Sequence, residues 1–210
     1  MRGKFALGGV ALFAALVFAF GTLGASAASR AAKPKTVVAG TGGFGDLTFT
    51  PATVKVKLGG SVNWHFQTGG HTTTDESFDG DLWDTGVEVG GHDFARTFAV
   101  AGTYPYECTS HVSFGMTGVV KVPLALSATT GTPSTSFTIT WATAALPAGF
   151  AVDVQRKGLT GGYATILSHT TTLSITQTLA SGSYSYRARL VRLSDGDATR
   201  YSPAGKITVS

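Results

Sequence analysis

One short segment of the chain, Cys108 to Met116, constrains the fold more than any other. It carries a thiolate, an imidazole and a thioether at Cys108, His111 and Met116, in a C-x2-H-x4-M spacing. These soft and borderline donors suit copper that changes between Cu(I) and Cu(II). A blue-copper site uses two His, one Cys and a weak axial Met, so a second His must come from elsewhere in the fold. His71, in the segment Gly-Gly-His-Thr-Thr, is the candidate.

The residue census supports a metal site at this segment. Cys108 is the one Cys of the chain, and Met116 is the one Met apart from Met1. A lone Cys or Met is usually an apolar core residue. Exported proteins, however, seldom keep an unpaired thiol that is neither buried nor bound to metal. One Cys with two His could also hold zinc, but zinc gains nothing from a thioether. The spacing therefore favours copper over zinc and over an inert core.

From residue 37 to residue 122 the pattern is that of β-strands and turns. Apolar and polar residues alternate in two consecutive segments, with the apolar positions at Val54, Val56, Leu58, Val62, Trp64 and Phe66. His65 has the opposite parity and is predicted to face away from the core, and His92 lies in a Gly-Gly-His-Asp turn. Tyr104, Tyr106 and Cys108 share one strand face, which places the sulfur in the interior at the strand end.

Acidic residues crowd the middle of this region. They are Asp75, Glu76, Asp79, Asp81, Asp84 and Glu88. We interpret them as a solvated acidic loop. The alternative is an electrostatic guide for a basic redox partner. Residues 28–122 hold 7 basic and 9 acidic residues, a net charge of −2.

Several short motifs surround the Cys-His-Met segment. They are Ala101-Gly-Thr-Tyr-Pro-Tyr-Glu-Cys108-Thr-Ser-His111, Met116-Thr-Gly-Val-Val-Lys-Val122, Phe49-x-Pro51, Gly59-Gly-Ser-Val62-x-Trp64 and Phe94-x3-Phe98. With these motifs, residues 36–122 resemble the plastocyanin, pseudoazurin and amicyanin group of cupredoxins. Thr72 follows His71 where plant plastocyanins have Asn.

The resemblance implies a Greek-key β-sandwich with one type 1 copper ion at one end. It assigns the ligand roles to His71, Cys108, His111 and Met116. It also implies an apolar docking face for a redox partner around the exposed edge of His111, formed by Val112, Phe114 and Gly115.

The first 27 residues have the pattern of a secretory signal peptide. Arg2 and Lys4 precede the apolar run Phe5–Leu23, and Ala25-Ser-Ala27 fits a small-residue cleavage site. We therefore predict export to the periplasm, the extracellular space or the cell surface, with residues 28–35 as a flexible lead-in. Because the run is nearly long enough to span a membrane, an uncleaved N-terminal anchor is the alternative. After cleavage we expect no membrane-embedded segment.

Beyond Val122 the composition shifts towards Ser, Thr and Ala, which indicates a second domain at residues 123–210. This part holds 7 basic and 3 acidic residues, a net charge of +4. Apolar residues alternate at Phe137, Ile139, Trp141, Tyr184, Tyr186, Ala188 and Leu190. Arg187 and Arg189 are predicted to point outward. About seven short strands in a segment of this length predict an immunoglobulin-like sandwich.

Two further segments of the second half, Gly182-Ser-Tyr-Ser-Tyr-Arg-Ala-Arg189 and Tyr201-Ser-Pro203, resemble fibronectin type III domains. The resemblance implies a spacer or adhesion module without chemistry of its own, in contact with a cell surface or a polymer. The fold class expected for the whole chain is therefore all-β, with a cupredoxin sandwich at 36–122 and a fibronectin-like sandwich at 123–210.

The function expected from these features is that of an exported one-electron carrier with a redox protein as partner. The alternative is a copper-binding scaffold or adhesion protein without a carrier role. A copper enzyme would need a second metal centre with further His ligands. No His-x-His occurs, and His65, His92 and His169 are scattered along the chain. We therefore expect no enzymatic activity, and no nucleic-acid partner either, because no such signature is present.

Overall fold

The computed structural model describes residues 33–41 and 45–210, so the predicted signal peptide and most of the lead-in lie outside the described residues. The described residues form sixteen strands: β1 (Lys35–Ala39), β2 (Phe49–Thr50), β3 (Thr53–Lys55), β4 (Gly60–Phe66), β5 (Thr74–Asp75), β6 (His92–Phe98), β7 (Gly102–Glu107), β8 (Thr117–Val122), β9 (Ala125–Leu126), β10 (Thr130–Gly131), β11 (Phe137–Thr140), β12 (Phe150–Lys157), β13 (Tyr163–Thr170), β14 (Ser174–Gln177), β15 (Gly182–Arg192) and β16 (Gly205–Val209). One 3-10 helix, Val112–Phe114, lies between β7 and β8. The all-β prediction is confirmed.

Strands β1 to β8 build the first sandwich from two four-stranded sheets. Their orders are β2-β1-β4-β6 and β3-β8-β7-β5. Most connections cross from one sheet to the other, and β1 runs parallel to β4 while β3 runs parallel to β8. These crossings match the expected Greek-key sandwich. Among the described residues, no helix is long and apolar enough to span a membrane.

The core of the first sandwich is centred on Trp64. Along β4 the burial alternates residue by residue, as the apolar periodicity predicts. Trp64 is fully buried, and its ring lies 5.3 Å from that of Tyr106 and 6.1 Å from that of Trp83 (centroid to centroid). Tyr106 belongs to β7, the strand that ends next to Cys108. The same aromatic cluster therefore fixes the strand that delivers the sulfur.

Strands β9 to β16 build a second pair of sheets. A five-stranded sheet has the order β10-β16-β15-β12-β13, and a three-stranded sheet has the order β14-β11-β9. Trp141, Tyr186 and Leu190 are buried between them, as the alternation predicts. Arg187 and Arg189 lie on the outer face and are half-buried. A sandwich of this kind is consistent with the immunoglobulin-like prediction, while the fibronectin type III assignment stays a prediction.

The two sandwiches belong to one compact unit, residues 31–210. The backbone N–H of Ala101 donates to the carbonyl of Trp141 (2.7 Å), and Thr103 and Arg200 exchange two backbone hydrogen bonds. The rings of Phe78 and Phe150 meet edge to face, 5.1 Å apart. The side chain of Arg192 bonds to the carboxylate of Asp81 and to the carbonyl of Phe78. The predicted boundary at residues 122 and 123 is thus crossed by hydrogen bonds and stays a prediction.

Candidate metal centre

Two loops at one end of the first sandwich bring three donor residues together. His71 lies after β4 and forms an isolated antiparallel bridge with Glu88. Cys108 directly follows β7, and His111 is the residue before the 3-10 helix. The ligand atoms of His71, Cys108 and His111 all lie within 4.8 Å of one another. The structure thus assembles three of the four residues that the sequence singled out.

The distances within this group fit a single metal ion. Cys108 Sγ lies 3.4 Å from His111 Nδ1 and 3.9 Å from His71 Nδ1. An ion with bonds of about 2.0 Å to nitrogen and about 2.3 Å to sulfur would separate those donors by roughly 3.6–3.8 Å. The two distances bracket this value, so the sulfur is spaced from each ring nitrogen as it would be around one ion. The donor set, one thiolate and two imidazoles, also suits copper.

The orientation of His71 is set by a contact on the far side of its ring. Its Nε2 lies 3.1 Å from the hydroxyl of Thr68, which leaves Nδ1 directed at the sulfur. Such a bond on the second nitrogen fixes the tautomer of a ligating His. Gly40, with φ of 70°, makes room for this pair. A Cβ at Gly40 would lie 2.0 Å from Thr68 Oγ1 and 2.8 Å from His71 Nε2. Sequence reasoning missed both residues, because neither shares a motif with the ligands.

Thr72 ties the two ligand loops to each other. Its backbone N–H donates to Cys108 Sγ (3.3 Å), and its hydroxyl accepts the backbone N–H of Thr109 (2.9 Å). The position where plant plastocyanins have Asn therefore carries a Thr that joins the loops through its side chain. The hydrogen bond to the sulfur therefore also joins the loop of His71 to that of Cys108. In the sequence, this role of Thr72 could have been inferred from its position directly after His71.

Met116 closes the loop that begins at Cys108. The backbone N–H of Cys108 donates to the carbonyl of Met116 (3.0 Å), and the N–H of Met116 donates to the carbonyl of His111 (3.3 Å). The Met116 side chain is buried. Gly115, which ends the 3-10 helix, has φ of 82°, a conformation that favours glycine. The backbone thus holds Met116 next to both loop ligands, and its thioether as the axial ligand stays a prediction.

The three donor residues differ in exposure. Cys108 is fully buried and His71 is 3% exposed, whereas His111 is partly accessible. Burial lowers the pKa of His71 and the neighbouring His111 lowers it further, while Asp46 acts in the opposite direction. A lowered pKa keeps the imidazole neutral near pH 7, the form that binds metal. The protein therefore presents a buried sulfur and one buried ring, with a single imidazole at the surface.

The surface beside His111 is apolar. Phe114 is 72% exposed and Val112 is 40% exposed, and the Phe114 ring centroid lies 6.5 Å from that of His111. Contiguous exposed apolar side chains are typical of interaction sites, whereas single ones are normal on a protein surface. The residues that the sequence singled out for docking thus lie around the accessible ligand.

The remaining histidines lie outside this group. His65 Nδ1 contacts Asp93 (2.8 Å), His92 Nδ1 contacts Glu88 (2.6 Å), and His169 is exposed. His65 and His92 thus each contact a carboxylate at the surface, and His169 is exposed to solvent. In the described part of the chain, the His71, Cys108 and His111 group is the one cluster of such residues that could hold a metal ion.

The acidic segment, which we interpreted from the sequence as a solvated loop, contains one buried carboxyl group. Asp75 is 1% exposed, on strand β5, because its backbone pairs with Tyr106 and lies beside the Trp83 segment. Burial raises the pKa of Asp75 to about 6. Asp79 and Asp81, by contrast, are exposed and face Arg192 of the second sandwich. The segment thus combines one buried carboxyl with carboxylates at the junction.

The first sandwich matches a known protein family. Residues 36–123 match the family model of copper binding proteins, plastocyanin/azurin family. Pseudoazurin from Methylobacterium extorquens AM1 is similar at 27% identity over 43% of this chain and 75% of its own, with a TM-score of 0.36. A purple cupredoxin from Nitrosopumilus maritimus is similar at 21% identity over 42% of this chain and 98% of its own (TM-score 0.36).

A copper-containing nitrite reductase from Thermus scotoductus SA-01 is similar at 23% identity over 43% of this chain and 22% of its own, with a TM-score of 0.34. No curated protein sequence matches the chain significantly. Residues 36–123 therefore carry a copper-binding cupredoxin domain, and His71, Cys108 and His111 can bind one copper ion.

Proposed function

We propose that the protein is an exported type 1 copper protein that carries single electrons between redox partners. The observation that carries the proposal is the convergence of a buried Cys108 and two imidazoles in one preformed group. Copper bound by these donors exchanges one electron by cycling between Cu(I) and Cu(II). The family match over residues 36–123 supports the same function.

The residues of this chain provide what a carrier needs. Cys108, His71 and His111 hold the metal, and Met116 supplies a weak fourth donor. Thr68 and Thr72 fix the two ligand loops, so the donor atoms move little when the charge of the site changes. Small rearrangement keeps the barrier to electron exchange low.

His111 connects the site to the surface. It is the one donor with an accessible edge, and Val112, Phe114 and Gly115 surround that edge with apolar surface. A partner that packs on this patch excludes water and approaches the ligand ring. We therefore propose that the patch Val112, Phe114 and Gly115 is the docking face for the redox partner.

The second candidate function is a copper-binding scaffold or adhesion protein. The observation that favours it is the second sandwich, β9 to β16, which contributes no residue to the ligand group.

Enzymatic catalysis is not proposed, because His65, His92 and His169 lie apart and contact surface groups or solvent. Export follows from the signal-like residues 1–27, with an N-terminal anchor as the alternative.

Electron self-exchange separates the carrier from the scaffold. Mature protein loaded with one copper is mixed in its oxidised and reduced forms, and line broadening of ligand resonances gives the rate. The carrier predicts rapid exchange, slowed in a Phe114→Glu variant that places charge on the docking face. A slow rate in the wild type, unaffected by that substitution, would favour the scaffold.

A further inference from the structure

The outer face of the five-stranded sheet carries an unusual arrangement of cations. In the register of that sheet, Lys157 lies opposite Ser185, and Ser185 lies opposite Lys206. Directly opposed residues on neighbouring strands project from the same face. Lys157 and Lys206 therefore flank Ser185 in one row across β12, β15 and β16, roughly 9–10 Å apart at the backbone. Both lysines are exposed.

The next row along the strands holds a preoriented arginine. Arg187 lies opposite Gln155 and donates two hydrogen bonds to its Oε1 (2.9 and 2.7 Å). Its guanidinium carbon lies 3.9 Å from the ring centroid of Tyr163 and 4.3 Å from that of Tyr201. Two aromatic faces and a neutral amide thus hold the side chain in place without neutralising its charge.

The carboxylates of this half of the chain are used elsewhere. Residues 123–210, all of which are described, contain three acidic residues. Asp153 pairs with Arg189 (2.9 Å), and Asp195 and Asp197 pair with Arg192 (2.8 and 2.9 Å). In this range no ion pair involves Lys157, Lys206 or Arg187. Three cations therefore share one face without a counter-charge.

A groove runs over the two lysines of this face, and Arg187 lies outside its lining, in the next row. It has a volume of about 670 Å³, and its polar lining comes from Lys157, Tyr163, Ser183, Ser185, Lys206 and Thr208. Hydroxyl groups alternate with ammonium groups along it. The lining is completed by Gly158, Leu159, Tyr184 and Ile207. The groove is open and rich in hydroxyl and ammonium groups, so it suits a hydrated ligand that carries both hydroxyl and anionic groups.

We propose that this cationic face, built by Lys157, Lys206 and Arg187, binds a linear acidic polysaccharide. Carboxylate or sulfate groups of the polymer pair with the cations, and sugar hydroxyls exchange hydrogen bonds with Ser183, Ser185 and Thr208. The flat outer surface of a sheet accepts an extended chain, and the lysine separation is comparable to the length of a disaccharide unit. Binding of this kind holds the copper protein on an anionic matrix and does not require copper.

The experiment also distinguishes the polysaccharide from three other partners that could pair with these cations. Nucleic acid and anionic lipid also pair with lysines. A second copy of this chain could present the acidic segment of its first sandwich. The polysaccharide is favoured because hydroxyl groups lie beside the cations of the groove. Its lining holds one large exposed apolar side chain, Leu159, which is too small a surface for lipid insertion, and the ring of Tyr163 is already covered by Arg187.

The test measures binding of the copper-loaded protein to immobilised polymers at physiological salt. The probes are polygalacturonate and dextran sulfate, with uncharged dextran, single-stranded DNA and phosphatidylglycerol vesicles for comparison. The variant is Lys157→Gln/Lys206→Gln. The matched control is Lys55→Gln/Lys57→Gln, which removes the same charge from two exposed lysines of the first sandwich.

We expect saturable binding to an acidic polysaccharide, weakened about tenfold or more in Lys157→Gln/Lys206→Gln and less than about twofold in the control pair. A carboxylated polymer binding better than a sulfated one, or the reverse, identifies the anion. The proposal is overturned by no binding to either acidic polymer, by equal losses in both variants, by tighter binding to DNA or vesicles, or by self-association that explains the retention. Urea unfolding midpoints equal to that of the wild type show that both variants, including the second sandwich, remained folded.

Discussion

The two sandwiches share a plan and differ in what their loops carry. Each packs two sheets around a fully buried tryptophan, Trp64 in the first and Trp141 in the second. In the first, two loops at one end bring His71, Cys108 and His111 together. In the second, no residue contributes to that group. In this protein the sheets supply rigidity and the loops supply chemistry, as in other folds that host many functions.

The polar interiors of the two sandwiches differ as well. The first buries a continuous polar run from His71 to Asp75, whereas the second buries the isolated residues Asp153, Thr199 and Ser202. Many polar groups of this run are hydrogen-bonded. Trp83 Nε1 donates to the hydroxyl of Thr73 (3.2 Å), and the backbone N–H of Thr73 donates to the hydroxyl of Thr85 (3.0 Å). A buried polar segment next to candidate metal ligands is characteristic of a functional element, because a core optimised for stability alone would be apolar.

The largest effect is expected from removing the sulfur. Cys108→Ser replaces the thiolate by a poor copper donor, so the intense thiolate-to-copper absorption should disappear completely. Because Ser is nearly isosteric and the site is buried, copper-free stability should fall by only about 1 kcal/mol. Absorption spectra and urea unfolding check both parts. A variant that keeps the wild-type colour would remove Cys108 from the ligand set.

The buried carboxyl predicts a pH dependence confined to the first sandwich. The pKa of Asp75 is about 6 in the folded protein and near 3.9 in an unfolded chain. The folded state therefore binds the proton more tightly, so this residue's contribution favours folding below about pH 4 and is lost as the pH rises through 6.

Asp75→Asn should remove that dependence. The copper-free variant should be more stable than the wild type by about 2–3 kcal/mol at pH 8 and equal to it near pH 4. Asp79→Asn, at an exposed position of the same segment, should change stability by less than about 0.5 kcal/mol at either pH. Urea unfolding at both pH values checks this, and an equal gain at pH 4 and pH 8 would contradict the buried ionisation.

The contact between Thr68 and His71 should affect copper affinity without affecting the fold. Thr68→Val keeps the shape and removes the hydroxyl that lies 3.1 Å from His71 Nε2. Loss of such a partner typically weakens metal binding by about 10–100-fold. The matched control is Thr138→Val, which loses a comparable hydroxyl contact with Thr176 in the second sandwich (2.8 Å). Competition with a copper chelator should show a loss in the first variant alone.

The smallest effect on binding, but a clear one on potential, is expected at Met116. Met116→Leu should leave copper affinity within about tenfold, because a thioether is a weak copper donor even where it binds. It removes electron donation that favours Cu(II), so the reduction potential should rise, whereas Met116→Gln offers an oxygen donor and should lower it. Voltammetry on the three proteins checks the order. Any order other than Leu above Met above Gln would contradict axial ligation.

Sequence reasoning succeeded where a local pattern determines the outcome. The alternation around Trp64 and around Tyr186 predicts which side chains are buried, because a strand has a period of two. The spacing from Cys108 to His111 predicts two donors of one metal group, and the structure places both beside His71, while Met116 as a ligand stays a prediction. His71 was found because the loop needs a second imidazole.

The residues that sequence reasoning missed depend on contacts between distant segments. Gly40 and Thr68 reach His71 through loop packing, and no local pattern reports that approach. Asp75 is buried although it lies in an acidic stretch, because pairing between β5 and β7 overrides its hydropathy. The position of Arg192 at the junction likewise depends on how the two sandwiches meet.

The central claim is that His71, Cys108 and His111 hold one copper ion in a type 1 site. The most direct test adds Cu(II) in steps to the metal-free mature protein while recording visible absorption and electron paramagnetic resonance. If these three residues hold the copper, an intense charge-transfer band should grow linearly to one copper per chain, with the narrow copper hyperfine splitting of a thiolate-bound site. A colourless complex at one equivalent, with the broad splitting of nitrogen and oxygen ligands, would contradict it.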